Sequence, residues 1–292
     1  QAEDGIRDVE RSRGLGDVYK RQTYKTGIVN GTLTYLIGNS TYKYGLTQNK
    51  SYYVRFDIDA LGLKGEIEEA RLYIYHSWYY GTNQQPNLKV QINKSTRWID
   101  LVLDAYYRDQ KGFGSYNYPY GTMCYNITDE LWLNSTHIIN ITNLDSSKIS
   151  LWGAGLLIVL KNDSYPKIQY WIDEGCDLLC EKYGAPDNEP MYYPFATCTF
   201  SKPLLKSPIN SAMLITVVPG GDGGANKLIF NNQEWNGVYN LTGPISSGTV
   251  GIAIDSKNVV EFISNTNNNL AKIVDCGGNG IVPSNAFLVI QY

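Results

Sequence analysis

Hydrophobic and polar residues alternate along most of the chain, in short runs that end at Gly, Asn, Pro or Ser. Alternation with a period of two is typical of β-strands that bury one face. The strands that this pattern predicts cover residues 25–38, 51–59, 68–78, 87–93, 137–142 and 149–161. Two further segments, 129–134 and 256–265, follow a residue suited to a helix N-cap and are predicted as short helices.

The same order of segments occurs twice along the chain. EARLYIY (69–75) corresponds to SAMLITV (211–217), and in each copy a short apolar strand and a Trp follow. GAGLLIVL (153–160) and SNAFLVIQ (284–291) then close the two copies. We therefore predict an all-β fold of two tandem, jelly-roll-like β-sandwich domains that are related by an internal repeat.

Residues 1–22 differ from the rest of the chain, because charges alternate there with glycines and no apolar period is present. Their back-translation matches a sequencing-library adaptor followed by a transposon end, so we expect this segment to be adaptor-derived and disordered. A native signal peptide would then be missing. The expected domains are residues 23–165 for the first sandwich and 166–292 for a bridging segment with the second sandwich.

Composition narrows the classes of function. The net charge is −3 and no cluster of Lys and Arg is present, which argues against a nucleic-acid partner. No apolar run reaches the roughly 18 residues that a membrane-spanning helix needs, so we expect no membrane segment here. An aromatic content of 13%, mostly from 24 tyrosines, favours strands over helices.

Cysteine usage and sequons indicate the compartment. With five cysteines and only two histidines, a zinc site has weak support, and we expect a disulfide among Cys176, Cys180 and Cys198, with buried thiols as the alternative. An excess of Asn-x-Ser/Thr sequons favours a glycosylated, extracellular surface over plain polar loops. The sequons lie at Asn30, Asn39, Asn49, Asn93, Asn126, Asn134, Asn140, Asn162 and Asn240.

Five sequence blocks follow one another in a recognisable order: ARLYIYHSW, CYNITDEL, GAGLLIVLKNDSYPKIQYWIDEG, LITVVPGGDGGANKLIFNNQEWNG and VPSNAFLVIQY. Together they resemble an archaeal domain of unknown function that recurs in large cell-surface, adhesin-like and surface-layer-associated proteins of methanogens. The resemblance covers residues 50–292, and PKIQYWIDEG is its most specific part. It implies an extracellular setting beside other β-sandwich repeats, with no assigned activity. Residues 112–128 depart from the Gly- and Trp-bearing run of that family, which leaves the role of this loop open.

Two adjacent carboxylates are the candidates for catalysis. Asp173 and Glu174 end the predicted strand KIQYWI, beside Tyr170 and Trp171, where the two halves are expected to meet. Paired carboxylates in a cleft can act as general acid and base on a sugar. The alternative is an acidic turn in which the carboxylates accept hydrogen bonds from backbone amides.

Aromatic and acidic side chains supply candidates for binding. Stacking on the apolar faces of sugars is one use of exposed rings, and core filling is the alternative. The ligand-binding candidates are Tyr116, Tyr118, Tyr120, Trp78, Tyr170 and Trp171. Alternation at 116, 118 and 120 would place three rings on one side of a strand. We expect no cofactor other than a structural Ca²⁺. Its oxygen ligands could come from Asp57, Asp59 and Asp222.

The sequence thus predicts a non-enzymatic, extracellular structural and adhesion module of a cell-surface protein. Such a module presents loops and glycans, and carbohydrate is its candidate ligand. Its expected partners are neighbouring surface modules or cell-wall glycans. The competing function is a glycan-active hydrolase that uses Asp173 and Glu174 between the two halves.

Overall fold

Eighteen strands form most of the regular structure in the part of the chain that the structure describes. The computed structural model describes residues 22–83, 85–94, 97–112, 117–180, 194–221, 225–241, 246–266, 268–277 and 280–292. The strands of the first half are β1 (Gln22–Leu36), β2 (Lys43–Leu46), β3 (Ser51–Asp57), β4 (Glu66–Ser77), β5 (Leu88–Lys94), β6 (Arg97–Asp100), β7 (Ala105–Asp109), β8 (Tyr120–Asn126), β9 (Thr136–Asn143) and β10 (Ile149–Lys161). Those of the second half are β11 (Lys167–Glu174), β12 (Phe195–Phe200), β13 (Ser211–Pro219), β14 (Asn226–Phe230), β15 (Gln233–Val238), β16 (Ile252–Asn258), β17 (Asn269–Val274) and β18 (Asn285–Gln291).

The strands form one large sheet and two small ones. The large sheet has the order β16-β13-β18-β11-β1-β10-β4-β8-β7, and β2 also pairs with β10. The small sheets have the orders β3-β9-β5-β6 and β12-β17-β14-β15. Each half is therefore a sandwich of a four-stranded sheet on part of the large sheet.

The strand order confirms the predicted internal repeat. In the first half, β1-β10-β4-β8 faces β3-β9-β5-β6, and in the second half β11-β18-β13-β16 faces β12-β17-β14-β15. The two halves match strand for strand, with β2 and β7 as additions in the first. This connectivity is that of a jelly roll. The first strands of the two halves, β1 and β11, pair antiparallel, so the two jelly rolls share one continuous sheet.

Three large hydrophobic cores in the described residues follow from the two-residue period of the strands, and a fourth, small one contains Cys176 and Cys180. In β4, Leu72 and Ile74 pack inside the first sandwich, whereas Tyr73 and Tyr75 point to the opposite face of the sheet. That opposite face does not meet solvent, because it packs against the matching face of the second half, where Phe287 lies. The Tyr75 hydroxyl donates a 2.6 Å hydrogen bond across this boundary to Oδ1 of Asn285. Burial on both faces explains why β10 is an almost unbroken apolar run.

Two segments differ from the sequence-based predictions. Residues 129–134, predicted as a short helix, form turns. Residues 256–265 contain only the end of β16 and a single 3₁₀ turn at Val260–Phe262. Both segments follow a residue that can act as a helix N-cap. Each of them connects two strands of one sandwich, however, and is too short to form a stable helix. Residues 1–21 of the expected adaptor-derived segment lie outside the described residues, whereas Gln22 begins β1.

Candidate functional site

The two candidate catalytic carboxylates lie in β11 and are fully buried. Asp173 and Glu174 each have an exposed fraction of 0%. As successive strand residues they point to opposite faces of the sheet, so the fold does not bring them together in an open cleft. Their neighbours Tyr170 and Trp171 are also fully buried, in two different cores. None of these four side chains contributes to the protein surface.

Glu174 belongs to an ion cluster at the boundary between the two halves. Arg71, on β4, donates from Nε to Oε1 of Glu174 and from Nη2 to Oε2, at 3.0 Å each. The third nitrogen of Arg71, Nη1, donates to Oδ2 of Asp104, whose side chain is 46% exposed. The ring of Tyr24 covers the guanidinium at 3.7 Å from its centroid. Arg71 thus bridges a buried carboxylate and a half-exposed one.

The electrostatics of this cluster follow from its burial. Burial raises the pKa of Glu174, and the charge of Arg71 opposes that rise. Tyr107 donates a 3.3 Å hydrogen bond to Oε2 of Glu174, and burial together with Glu174 raises the pKa of this tyrosine. A bidentate Arg–carboxylate pair is the strongest of such contacts and fixes both side chains. The cluster therefore joins the halves, and the carboxylate of Glu174 has no opening to solvent.

A second cluster lies at the surface and is made of aromatic rings. The aromatic patch consists of Tyr44, Trp78, Tyr80 and Tyr118. Tyr44 and Trp78 meet edge to face, with centroids 5.9 Å apart, and Tyr80 and Tyr118 lie 4.4 Å apart. Burial and a hydrogen bond with Tyr44 raise the pKa of Tyr80. This hydrogen bond connects the two ring pairs. Tyr44, Tyr80 and Tyr118 are 54%, 42% and 37% exposed, so the patch has an open face.

Trp78 holds an uncommon backbone conformation at the centre of this patch. Its φ is +47°, in the left-handed region that bulky residues avoid. Such a conformation costs on the order of 1–3 kcal/mol and persists only where the surroundings impose it. Here the indole Nε1 donates a 2.7 Å hydrogen bond to the hydroxyl of the buried Tyr120. The strain fixes the indole beside Tyr44.

The aromatic patch lies next to a loop of the second half. The backbone N–H of Tyr44 donates to Oγ of Ser247 at 3.0 Å, and that of Tyr42 donates to the carbonyl of Thr249 at 2.7 Å. Both tyrosines follow β1 in the chain, and both contact residues more than 200 positions away. The patch is therefore assembled at the boundary of the two jelly rolls.

The sequence identified only part of this patch. It singled out Trp78, Tyr118 and Tyr120, but Tyr120 is buried beneath the patch and Tyr116 lies outside the described residues. The alternation expected of Tyr118 and Tyr120 fails because β8 begins only at Tyr120. No local sequence pattern marked Tyr44 as a binding residue, because only the pairing of β2 with β10 in the folded chain brings it to Trp78.

The predicted disulfide is not formed. No disulfide bond joins the cysteines, all of which lie within the described residues, and Cys176, Cys180 and Cys198 are buried. Burial raises the pKa of the Cys180 thiol to about 11. Cys198 lies in the core of the second sandwich, whereas Cys176 and Cys180 belong to a small separate core, which explains why Cys198 does not pair with either of them.

The candidate calcium ligands within the described residues are Asp57 and Asp59. Oδ1 of Asp57 accepts from Nε of Arg55 at 2.7 Å and from Oγ1 of Thr136 at 2.8 Å. Asp59 begins a 3₁₀ turn, and Asp222 lies outside the described residues. Within the described part of the chain, no three His, Cys, Asp or Glu side chains form a group that could hold a metal ion.

The sequon asparagines differ in exposure. The exposed ones are Asn39, Asn49, Asn126, Asn134 and Asn240. Among the others, Asn93 uses its Oδ1 to accept from the N–H of Ile138, and Asn162 donates from Nδ2 to the carbonyl of Lys64. Across the ranges that the structure describes, no helix combines the length and apolar character needed to cross a membrane.

Comparisons with known proteins complete the description. The chain is similar to the crystal structure of a peptide-N(4)-(N-acetyl-β-D-glucosaminyl) asparagine amidase, with 12% identity and a TM-score of 0.26. That alignment covers 91% of this chain and 96% of the amidase chain. No curated protein matches the chain. A family model matches residues 16–291, and the chain therefore belongs to the family described as "Protein of unknown function (DUF3344)".

Proposed function

We propose that the chain is a non-enzymatic structural and adhesion module of an extracellular, cell-surface protein, and that it binds carbohydrate through the aromatic patch. The observation that carries this proposal is the exposure of Tyr44, Tyr80 and Tyr118, whose rings pack in the pairs Tyr44–Trp78 and Tyr80–Tyr118. Exposed apolar surface that is held rigidly marks a binding site more often than a packing accident.

The chemistry of the patch suits a sugar. Tyrosine and tryptophan combine an apolar ring face with a polar hydroxyl or N–H, so they pack on a pyranose face and still reach its hydroxyl groups. Two of the rings are anchored by the jelly-roll strands, since Tyr44 lies in β2 and Trp78 directly follows β4. A preformed platform of this kind binds without first ordering its side chains.

The extracellular setting is supported by the exposed sequons. Asn49, Asn134 and Asn240 are exposed, which is the condition for attachment of a glycan. Neighbouring surface modules and cell-wall glycans are the partners that this setting implies. The archaeal and adhesin-like context belongs to the same proposal.

A glycan hydrolase is the competing function. Its support is the position of Glu174 between the two halves together with the raised pKa of this carboxylate. A raised pKa is a common property of general acids. Against it, both oxygens of Glu174 already accept hydrogen bonds from Arg71, and Asp173 points to the other face of β11. We therefore favour binding without turnover.

A glycan-array screen of the full chain, with product release measured in parallel, tests the proposal. We expect binding that falls about fivefold in Tyr80→Ala and in Tyr118→Ala, because a lost aromatic contact is worth roughly 1 kcal/mol. Tyr53→Ala is the matched control, since Tyr53 is 56% exposed but lies on β3, outside the patch. Absence of binding to every glycan would refute carbohydrate recognition. Turnover that Glu174→Gln abolishes would replace it with the hydrolase.

A further inference from the structure

A lysine with little exposure lies between two buried aspartates that belong neither to the ion cluster of Glu174 nor to the aromatic patch. Nζ of Lys111 lies 2.7 Å from Oδ2 of Asp109 and 3.6 Å from Oδ1 of Asp177. The side chains of Lys111, Asp109 and Asp177 are 10%, 2% and 4% exposed. Lys111 follows the end of β7 in the first half, whereas Asp177 follows β11. The three side chains thus connect two distant parts of the chain.

The backbone around the lysine is fixed from both halves. Asp109 accepts the N–H of Leu178 at Oδ2, at 2.6 Å, and the N–H of Gln110 at Oδ1, at 2.7 Å. The N–H of Asp177 donates to the carbonyl of Pro283, and Leu179 pairs with Ile281 of the second half. Asp109 therefore holds the residue next to Asp177 and so positions the Asp177 carboxylate against Nζ.

Charge makes this arrangement costly as a plain ion pair. One ammonium group and two carboxylates lie out of water, and desolvation of such charges offsets their mutual attraction. Transfer of a proton from Nζ to Asp177 converts one ion pair into a neutral amine and a neutral carboxylic acid, which burial favours. The Cys180 thiol adds no further negative charge at neutral pH, because burial raises its pKa to about 11 and keeps it protonated.

We propose that Lys111 and Asp177 form an intramolecular amide bond, with Asp109 as the general base. The neutral amine of Lys111 attacks Cγ of Asp177 and forms the new C–N bond. Asp109 accepts a proton from the nitrogen and returns it to the hydroxyl group on Cγ, whose C–O bond breaks so that one water leaves. Overall, an ammonium and a carboxylate give an amide and water, with no oxidation or reduction.

The geometry assigns the two aspartates to different roles. Both oxygens of Asp109 already accept backbone N–H groups, which suits a base that stays in place. Oδ1 of Asp177 lies 3.6 Å from Nζ, and Cγ is one bond from that oxygen. The attack requires Nζ and Cγ to approach to about 3–3.5 Å, the separation at which held groups react with large effective molarities. A neutral, desolvated lysine amine is an effective nucleophile.

The bond would lock the two jelly rolls together at one end. It joins the end of β7 in the first half to the segment that pairs with Ile281 in the second. A covalent link between distant segments restricts the unfolded chain, as a disulfide does. The inference does not rest on carbohydrate binding.

Intact mass spectrometry of the purified, denatured full chain tests the bond. We expect a mass lower than that of the sequence by one water, and a proteolytic digest in which the peptides of Lys111 and Asp177 are joined. Within the same digest, Lys227 and Glu234 are the matched control, because they form a 3.0 Å ion pair that is 36% and 41% exposed. That solvated pair is expected to remain unlinked. An unmodified mass, or a link elsewhere, would overturn the proposal.

Variants separate the roles of the three residues. Lys111→Arg and Asp177→Ala are expected to keep the full mass, whereas Asp177→Asn is expected to link with loss of ammonia instead of water. Asp109→Asn retains both reacting groups but lacks the base, and we expect it to remain unlinked while its circular dichroism stays that of a folded β protein. Full linkage in folded Asp109→Asn would overturn the role assigned to Asp109.

Discussion

Removal of the Arg71 guanidinium should destabilise the protein strongly, because it leaves a buried charge behind. In Arg71→Met the aliphatic part of the side chain is kept, while both hydrogen bonds to Glu174 are lost. Loss of one partner from a buried ion pair costs about 3–5 kcal/mol. An exposed pair is worth about 0–1 kcal/mol. Arg55→Met is therefore the matched control, since Arg55 and Asp57 are 57% and 47% exposed and lie 2.7 Å apart.

The penalty should also depend on pH, with a sign that the pKa of Glu174 determines. Burial already raises this pKa above its value in the unfolded chain, and without Arg71 the rise becomes larger. A raised folded-state pKa gives stability that is present at low pH and lost as pH increases through the folded pKa. The free energy of unfolding of Arg71→Met should therefore approach that of the wild type near pH 4 and fall below it at pH 7.

Urea unfolding at these two pH values, followed by tryptophan fluorescence, measures both effects. The double variant Arg71→Met/Glu174→Gln should recover most of the lost stability, because replacement of both charges removes the uncompensated carboxylate. A cost for Arg71→Met below about 1 kcal/mol, or one that does not change with pH, would refute the reasoning. So would a double variant no more stable than the single one.

Two further predictions concern other buried groups. Burial lowers the pKa of His76 to about 3, so the folded state takes up fewer protons than the unfolded one and stability falls as pH decreases from about 6.5. Between pH 7 and pH 5 the wild type should lose roughly 2 kcal/mol more than His76→Gln in urea unfolding, and equal losses would contradict the burial of a neutral imidazole. Phe287→Ala, in the core between the halves, should cost about 3–5 kcal/mol and shift a single calorimetric transition. Two transitions of which only one moves would show that the halves unfold independently.

Much of the fold could be predicted from the sequence, because strand alternation and repetition are local properties. The correspondence of residues 69–75 with 211–217 proved to be that of β4 with β13, and 153–160 with 284–291 that of β10 with β18. The match of β1 with β11 was missed, since their side chains share no pattern and only their place in the sheet relates them. The two helix predictions were wrong, because capping residues also suit turns between strands.

The candidate sites were harder to predict than the fold. Trp78 and Tyr118 were identified as aromatic residues near strands, but nothing in the sequence separates them from Tyr120, which is buried. Glu174 lies at the boundary of the halves in contact with Arg71, whereas Asp173 points to the other face of β11. Glu174 is buried by strands that are distant in the sequence, such as β4, whose Arg71 precedes it by 103 positions.

The sequence by itself determined which residues share a face of each strand, because the two-residue period is built into extended backbone. It also determined the repeat, and with it the all-β class. Only the tertiary structure decided that the outer faces of the two jelly rolls pack on each other, which turned Glu174 from a surface acid into a buried ion-pair partner. It likewise brought Lys111 to Asp177 and Tyr44 to Trp78. Such contacts depend on how distant strands pair and stack, and no local pattern of residues encodes that arrangement.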